Sequence, residues 1–400
     1  MTTPLISVRE AQARVRSATP RLESEEVAVE HALDRVLSED VRASTDVPRF
    51  ACSAMDGYAI TAGAAGRVLR LAGESRAGAP STIPVRVGEA IRISTGAAVP
   101  DGADGVIRQE DVLATDGGIE TQAQTAPGAN IREAGEDMRA GTTVLAAGTR
   151  LGAAELGAAV AAGAGSLMVA RRPRVRVLCT GDELRPPGAP LGPGEIHNSN
   201  GVMLVALAGR CGASVRDAER LADDRRATEA ALDEALSEAD VVVISGGVSV
   251  GPHDHVKPAL AELGVTEQFW RVALQPGKPT WFGTREHTLV FGLPGNPVSA
   301  FVTFVLFAWP AIAGLQGARC DREPTDSAVL GSSVRRNPQR DQALRVRLEH
   351  QDGHLVALPD GPQGSHIVTS LIGADALALV PAGEGELAAG SAVTLERLPD

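Results

Sequence analysis

The run Val241-Val242-Val243-Ile244-Ser245 passes directly into Gly246-Gly247-Val248-Ser249-Val250-Gly251, and Asp254 follows three residues later. Four consecutive β-branched apolar residues without polar alternation mark a strand buried on both faces, the habit of parallel sheets. The glycines mark a sharp exit at its carboxyl end. The same grammar recurs twice. Residues 175–179 lead into Thr180-Gly181-Asp182-Glu183-Leu184, and residues 289–292 lead into Leu293-Pro294-Gly295-Asn296-Pro297-Val298-Ser299. Helical patterns at 201–208, 225–237, 255–263 and 298–307 lie between or after these strands, the last a greasy run closed by Pro310. Strand, glycine-containing loop and helix in repetition predict a mostly parallel sheet with helices on both faces.

Outside this unit the periodicity changes. Ser7 and Glu10 stand at capping-box spacing before a run without breakers until Pro20, which predicts a first helix. A second helical pattern covers 31–37, and an Ala-rich third covers 151–164. Between them, short alternating runs at 68–71, 90–94, 105–108 and 118–122 lie among Gly, Pro and Asp turns and read as strands. Strand-like runs return at 343–349, 355–358, 377–380 and 392–395. The expected fold class is multidomain α/β plus β. A discontinuous helical arm (1–45 and 138–172) carries a β-rich inserted domain (46–137); an α/β domain (173–320) and a C-terminal β domain (321–400) follow.

Composition narrows the function. The net charge is -12 and aromatic residues make up 3% of the 400 residues, so neither a phosphate-backbone footprint nor a base-stacking platform is expected, and nucleic acid is set aside. A local basic pocket for a small anion remains compatible with an acidic whole. Cys52, Cys179, Cys211 and Cys320 are scattered and form no CxxC pair, so zinc, iron–sulfur and disulfide frameworks are unsupported. The start has no basic region leading into an apolar stretch, and the run 301–309 is too short to span a bilayer. A cytoplasmic protein without membrane partners is expected.

Ligands in open parallel sheets settle beyond the carboxyl ends of the strands. Glycines there let backbone N–H groups approach an oxyanion, and the next helix N-terminus favours negative charge. Asp182, Glu183 and Asp254 beside such anion sites suggest a bridging hard cation such as Mg²⁺, which takes few carboxylates plus ligand phosphates. Blander readings exist for each. Asp182 and Glu183 also suit solvated loop acids, Asp254 suits a helix cap, and Pro294-Gly295-Asn296-Pro297 suits a rigid double turn. Convergence of three loops on one edge favours metal-assisted phosphate chemistry. Gly247-Val248-Ser249-Val250-Gly251 also fits the G-x-S-x-G nucleophile elbow of a serine hydrolase, with Asp341 and His366 in triad order. Against it, Ser249 lies past the strand end, and Pro252 and Asp254 delay the helix.

Taken together the motifs resemble the MoeA family, molybdopterin molybdenumtransferases, also found as the E domain of gephyrin. The resemblance spans nearly the whole chain. It rests on Ser53-Ala54-Met55-Asp56-Gly57-Tyr58-Ala59, Arg92-Ile93-Ser94-Thr95-Gly96-Ala97, Pro100-Asp101-Gly102-Ala103-Asp104, Glu110, Ile131-Arg132, Gly135-Glu136-Asp137, the three strand-end loops, Pro276-Gly277-Lys278-Pro279 and Gln363-Gly364-Ser365-His366. It implies an elongated homodimer that converts adenylylated molybdopterin and molybdate to molybdenum cofactor, releasing AMP with Mg²⁺ as cofactor. By the same resemblance, Asp182, Glu183 and Asp254 position Mg²⁺ and the reacting phosphate. Gly246, Gly247 and Ser249 hold pterin or phosphate oxygens, while Pro294 and Pro297 fix loop shape. Lys278, Ser299 and Ser365 handle oxyanions including molybdate, with charge added by Arg340 and Arg345. Asp56, Thr95 and Asp137 face the cleft of a partner subunit, so active sites are shared; a plain turn carboxylate is the alternative for Asp56.

Two positions depart from the family pattern. Gln275 stands where many members have lysine, and Asn198 where an aspartate is common. The rival activities are adenylylation of molybdopterin by the sister family, which resembles the α/β domain alone, and a non-catalytic dimeric scaffold.

Overall fold

The three buried runs form the centre of a seven-stranded sheet in the computed structural model, which describes residues 5–222, 224–247, 255–319, 327–351 and 353–398. Arg174–Thr180, Val241–Ser245 and Thr288–Leu293 are parallel neighbours, with Val175 opposite Val241 and Val241 opposite Leu289. Ser214–Val215 and Glu219–Leu221 extend the sheet beyond Arg174–Thr180, also parallel. At the other edge Trp281–Arg285 and Thr266–Trp270 add two antiparallel strands that the sequence reading did not separate.

Alternation along the strands sends side chains to two different cores. Val175, Val177, Val241, Val243 and Phe291 pack with the helices Ser199–Arg210 and Pro297–Thr303. Leu178, Val242, Ile244 and Val290 pack with Arg225–Glu238 and Val256–Glu262. Both faces are covered, so no polar alternation survives in the sequence. Val241, Val243 and Phe291 are 0% exposed, and each stabilises the fold by roughly 1.5–3 kcal/mol relative to exposure.

Pro310 does not close the last helix. Pro297–Thr303 continues through a π-helical turn, Phe304–Ala308, into Trp309–Leu315. A proline cannot donate to the carbonyl four residues back and crowds it, and a π turn absorbs that misfit. The carbonyl in question, Leu306 O, accepts a hydrogen bond from Gln12 Nε2 at 3.4 Å. Pro297–Leu315 is long and apolar enough to cross a membrane by composition, but its residues are mostly buried against the sheet.

The first helix, Val8–Ala18, is capped by Ser7, whose hydroxyl accepts from Glu10 N at 3.1 Å. Its apolar stripe Val8, Ala11 and Val15 joins the α/β core. The helix expected at 31–37 is absent. A 3-10 turn, Val29–His31, gives way at Asp34, whose φ of +62° interrupts any right-handed helix. Asp34 and Leu37 instead donate to Leu151 O and Thr149 O. In this region Ser24–Ala28 pairs with Ser166–Ala170, and the helix Ala153–Ala161 covers a small separate core.

The insert is a six-stranded sheet in the order Gly105–Arg108, Gly57–Ile60, Glu89–Ile93, Val68–Ser75, Gly118–Thr121, Val112–Thr115. At the C-terminus five strands close on themselves. Asp341–Gln351 pairs with His354–Pro359, then follow Ser327–Leu330, Ala392–Arg397 and Ala376–Val380, which pairs back to Asp341–Gln351. A short strand from the α/β side, Leu274–Gln275, adds to this barrel in parallel beside Asp341 and Gln342.

Candidate functional site

Two of the strand-end loops meet at the carboxyl edge of the sheet. Gly246 N donates to Leu293 O at 3.0 Å, joining the ends of the second and third central strands. Gly246 and Gly247 have φ of +90° and +63°. A Cβ on Gly246 would lie 2.6 Å from Thr180 Oγ1, and one on Gly247 2.7 Å from Val256 Cγ2, so only glycine fits either place. Thr180 brings the first strand's end to the same point. Pro294 is buried, and Pro297 opens the long helix at its first position. Cys179 lies behind this edge, and burial pushes its thiol up to about 11, so it is protonated and inert at neutral pH.

Asp182 and Glu183 are exposed at the first strand's end. Arg220 Nη1 lies 3.6 Å from Asp182 Oδ1, and Glu183 O accepts from Ile196 N at 2.9 Å. Among the described residues no group of three acids, histidines or cysteines could hold a metal by itself. Ser249 and Asp254 lie outside the described residues. Two exposed hard-oxygen donors fit Mg²⁺ in the mode where a bound phosphate supplies the remaining ligands, and do not fit an all-protein cage. Asn198, the position of a common aspartate, caps the helix Ser199–Arg210 by accepting from Gly201 N at 2.9 Å, a role either residue fills. The nucleophile-elbow reading falls on residues 248–251, which lie outside the described residues; the first described helix after them begins at Val256.

The third loop runs into a cleft of about 330 Å³ between the α/β unit and the barrel. Lys278, Ser299, Arg340, Arg345, Gln363 and Ser365 are among its lining, and no carboxylate is, among the described residues. Asn296 Nδ2 donates to Ser365 Oγ at 3.1 Å and Val298 N donates to Ser365 O at 3.1 Å, so the cleft and the strand-end loops are continuous. Arg345 decides its chemistry. The side chain is 0% exposed and rests on neutral acceptors: Ser370 Oγ at 3.2 Å, Pro362 O at 3.3 Å and Gly364 O at 3.4 Å. Its Nη1 is enclosed and has no hydrogen-bond partner among the described residues. Burial lowers its pKa from the ordinary guanidinium value, and no acid offsets that. Among the described residues this buried cation has no counter-charge, an arrangement that an anion in the cleft would stabilise. Gln275 also lines the cleft, with its Oε1 accepting from Asn337 Nδ2 at 2.6 Å.

Asp56 and Thr95 come together on the insert. Asp56 Oδ1 accepts from Thr95 N at 2.7 Å and from Thr95 Oγ1 at 3.2 Å. Asp137 is exposed, with its N–H on Val47 O at 3.0 Å. Asp56 and Thr95 lie on the six-stranded insert and Asp137 beside Met138 of the arm, on cores separate from that of the sheet carrying the loops. Sequence reasoning noted Arg345 only as added charge and missed Asn200 and Asn296, which tie the loops together. Nothing in a linear pattern reports which amide bridges two loops.

Fold and site together define a doubly covered α/β sheet flanked by two β units, with glycine turns and a cation-lined cleft at its carboxyl edge. Residues 6–163 match the MoeA N-terminal region (domain I and II), 176–314 a probable molybdopterin binding domain, and 327–398 the MoeA C-terminal region (domain IV). A Haemophilus influenzae protein named molybdopterin molybdenumtransferase is 35% identical, with 98% of each chain aligned. Molybdopterin molybdenumtransferase 2 of Mycobacterium tuberculosis is 39% identical, over 91% of this chain and 93% of its own. A crystal structure of a Pyrococcus horikoshii molybdopterin biosynthesis MoeA protein superposes with a TM-score of 0.80 at 32% identity, covering 98% and 99% of the two chains. The chain belongs to the MoeA family of molybdopterin molybdenumtransferases and is a transferase of molybdenum cofactor biosynthesis.

Proposed function

We propose that this chain inserts molybdenum, taking adenylylated molybdopterin and molybdate to molybdenum cofactor and AMP. The observation that carries the reading is Arg345: a buried guanidinium whose Nη1 has no partner among the described residues, in a residue that lines, with Lys278, a cleft without a carboxylate among the described residues. A small tetrahedral oxyanion fits that donor set, with Ser299 and Ser365 hydroxyls completing it. The pterin and its phosphate lie along the adjoining edge, where the Gly246 turn, held to Leu293 O, leaves the backbone N–H of Gly247 to the ligand, helped by Ser249. Asp182 and Glu183, joined by Asp254, would hold Mg²⁺, which supplies Lewis-acid stabilisation at a phosphoryl oxygen. This chain's loops orient the anhydride and hold the oxyanion beside the sulfurs that capture the metal.

Asp56, Thr95 and Asp137 are read as contributions to the active site of a second copy, because they sit on units with cores of their own. A homodimer in the cytoplasm follows. The test is AMP release from adenylylated molybdopterin. Release that needs both molybdate and Mg²⁺ supports insertion, whereas AMP attachment from ATP with no oxyanion present marks the sister activity.

A further inference from the structure

Asn200 sits in the first turn of the helix Ser199–Arg210, between two of the loops described above. Its Nδ2 donates to Ser245 Oγ at 2.9 Å and to Gly295 O at 2.7 Å. One amide therefore fastens the Gly246-Gly247 turn to the Pro294-Gly295 turn. Because Gly295 O can only accept, the amide orientation is fixed. Its Oδ1 is enclosed and has no hydrogen-bond partner among the described residues. A buried acceptor left open beside the glycine turns is costly unless something fills it. Groups left in this state mark places kept for a bound partner or for precise spacing.

We propose that Asn200 is a positioning residue for the pterin substrate. It sets the separation of the two glycine turns that border the phosphate, and keeps its Oδ1 for an N–H donor of the bound state. The inference rests on the insertase reading and deepens it. Molybdate is held elsewhere, by Lys278 and Arg345, so the two substrates respond differently to the loss of Asn200. A merely structural residue affects both alike.

The experiment is steady-state AMP release by the full chain with Mg²⁺, varying adenylylated molybdopterin and molybdate separately. Asn200→Asp is nearly isosteric and favourable in a first helical turn, so folding is retained, but it sets a carboxylate against Gly295 O. Expected is a tenfold or greater loss of kcat/KM for the adenylylated pterin, with KM for molybdate within twofold and a single cooperative melt retained above the assay temperature. Ser245→Ala, which removes one of the two ties, gives an intermediate loss. Wild-type behaviour of Asn200→Asp, or parallel rises in both KM values, would overturn the proposal while leaving the insertase reading intact. A wild-type chain inert toward the adenylylated substrate overturns that reading, and this one with it.

Discussion

At the scale of single residues, the cleft's buried cation, Arg345, is costly to the fold and useful to the proposed site. Replacing a buried ionic group by an apolar side chain of similar volume is often neutral or stabilising. Arg345→Met therefore leaves the melting temperature unchanged or higher, while molybdate binding weakens by roughly tenfold to a hundredfold, the value of one or two charge-assisted hydrogen bonds. Calorimetry and molybdate titration check the two halves separately. Lys278 is one of only two lysines beside 36 arginines in the chain, so a lysine there is not this sequence's default cation. Lys278→Arg exchanges a compact ammonium for a planar fork and is not conservative; a measurable loss of molybdate affinity is expected. Gln275→Lys gives up the bond from Asn337 but adds charge to the cleft. A gain of about 0.5–1 kcal/mol in molybdate binding at low salt, shrinking as salt rises, is expected. An unaltered affinity at low salt removes Gln275 from the oxyanion site.

Among the elements, the junction between the arm and the sheet depends on one carboxylate. Asp240, just before Val241–Ser245, accepts Arg171 Nη1 at 2.7 Å and Nη2 at 2.8 Å, and Arg174 N at 2.7 Å. Burial pushes Asp240's pKa up, but the hydrogen bonds from Arg171 and Arg174 outweigh it and the net shift is downward. Its contribution is complete above the unfolded carboxylate value of about 3.9. That contribution is lost as pH falls through the lower folded value. Asp240→Asn should cost on the order of 2–4 kcal/mol at pH 7 and flatten stability in the acid range, as read by urea unfolding at several pH values. Elements with one environment along their length were legible in the sequence. Val241–Ser245 and Gly105–Arg108 fell where expected because burial or alternation is uniform within them. Residues 31–37 misled because their apolar spacing serves bridges to Arg150 and Val169 rather than a helix face. Leu274–Gln275 has no pattern of its own; its pairing exists only once the barrel is present. The glycine turns of the site were legible for the same reason as their strands, whereas Arg345's missing partner and the Asn200 bridge depend on neighbours distant in sequence.

On the scale of the whole molecule, the proposal of shared sites makes a quantitative prediction. Asp56→Asn and Asp254→Asn are each expected to be inactive; mixed under exchange, half of the dimers carry one of each. In such a dimer one site has both lesions and the other neither, so recovery should approach roughly a quarter of wild-type activity. Zero recovery, with exchange verified by mass spectrometry, rules the arrangement out. The strand Leu274–Gln275 carries a different consequence, for heat rather than for chemistry. It belongs by covalent sequence to the α/β unit and by hydrogen bonding to the barrel. Melting the barrel therefore strips backbone partners from the segment leading to Lys278, and melting the α/β unit leaves an unpaired edge at Asp341 and Gln342. The two units should lose structure in one cooperative calorimetric transition, with the enthalpy of both. A barrel fragment that starts at residue 327 lacks that strand and should self-associate through the bare edge.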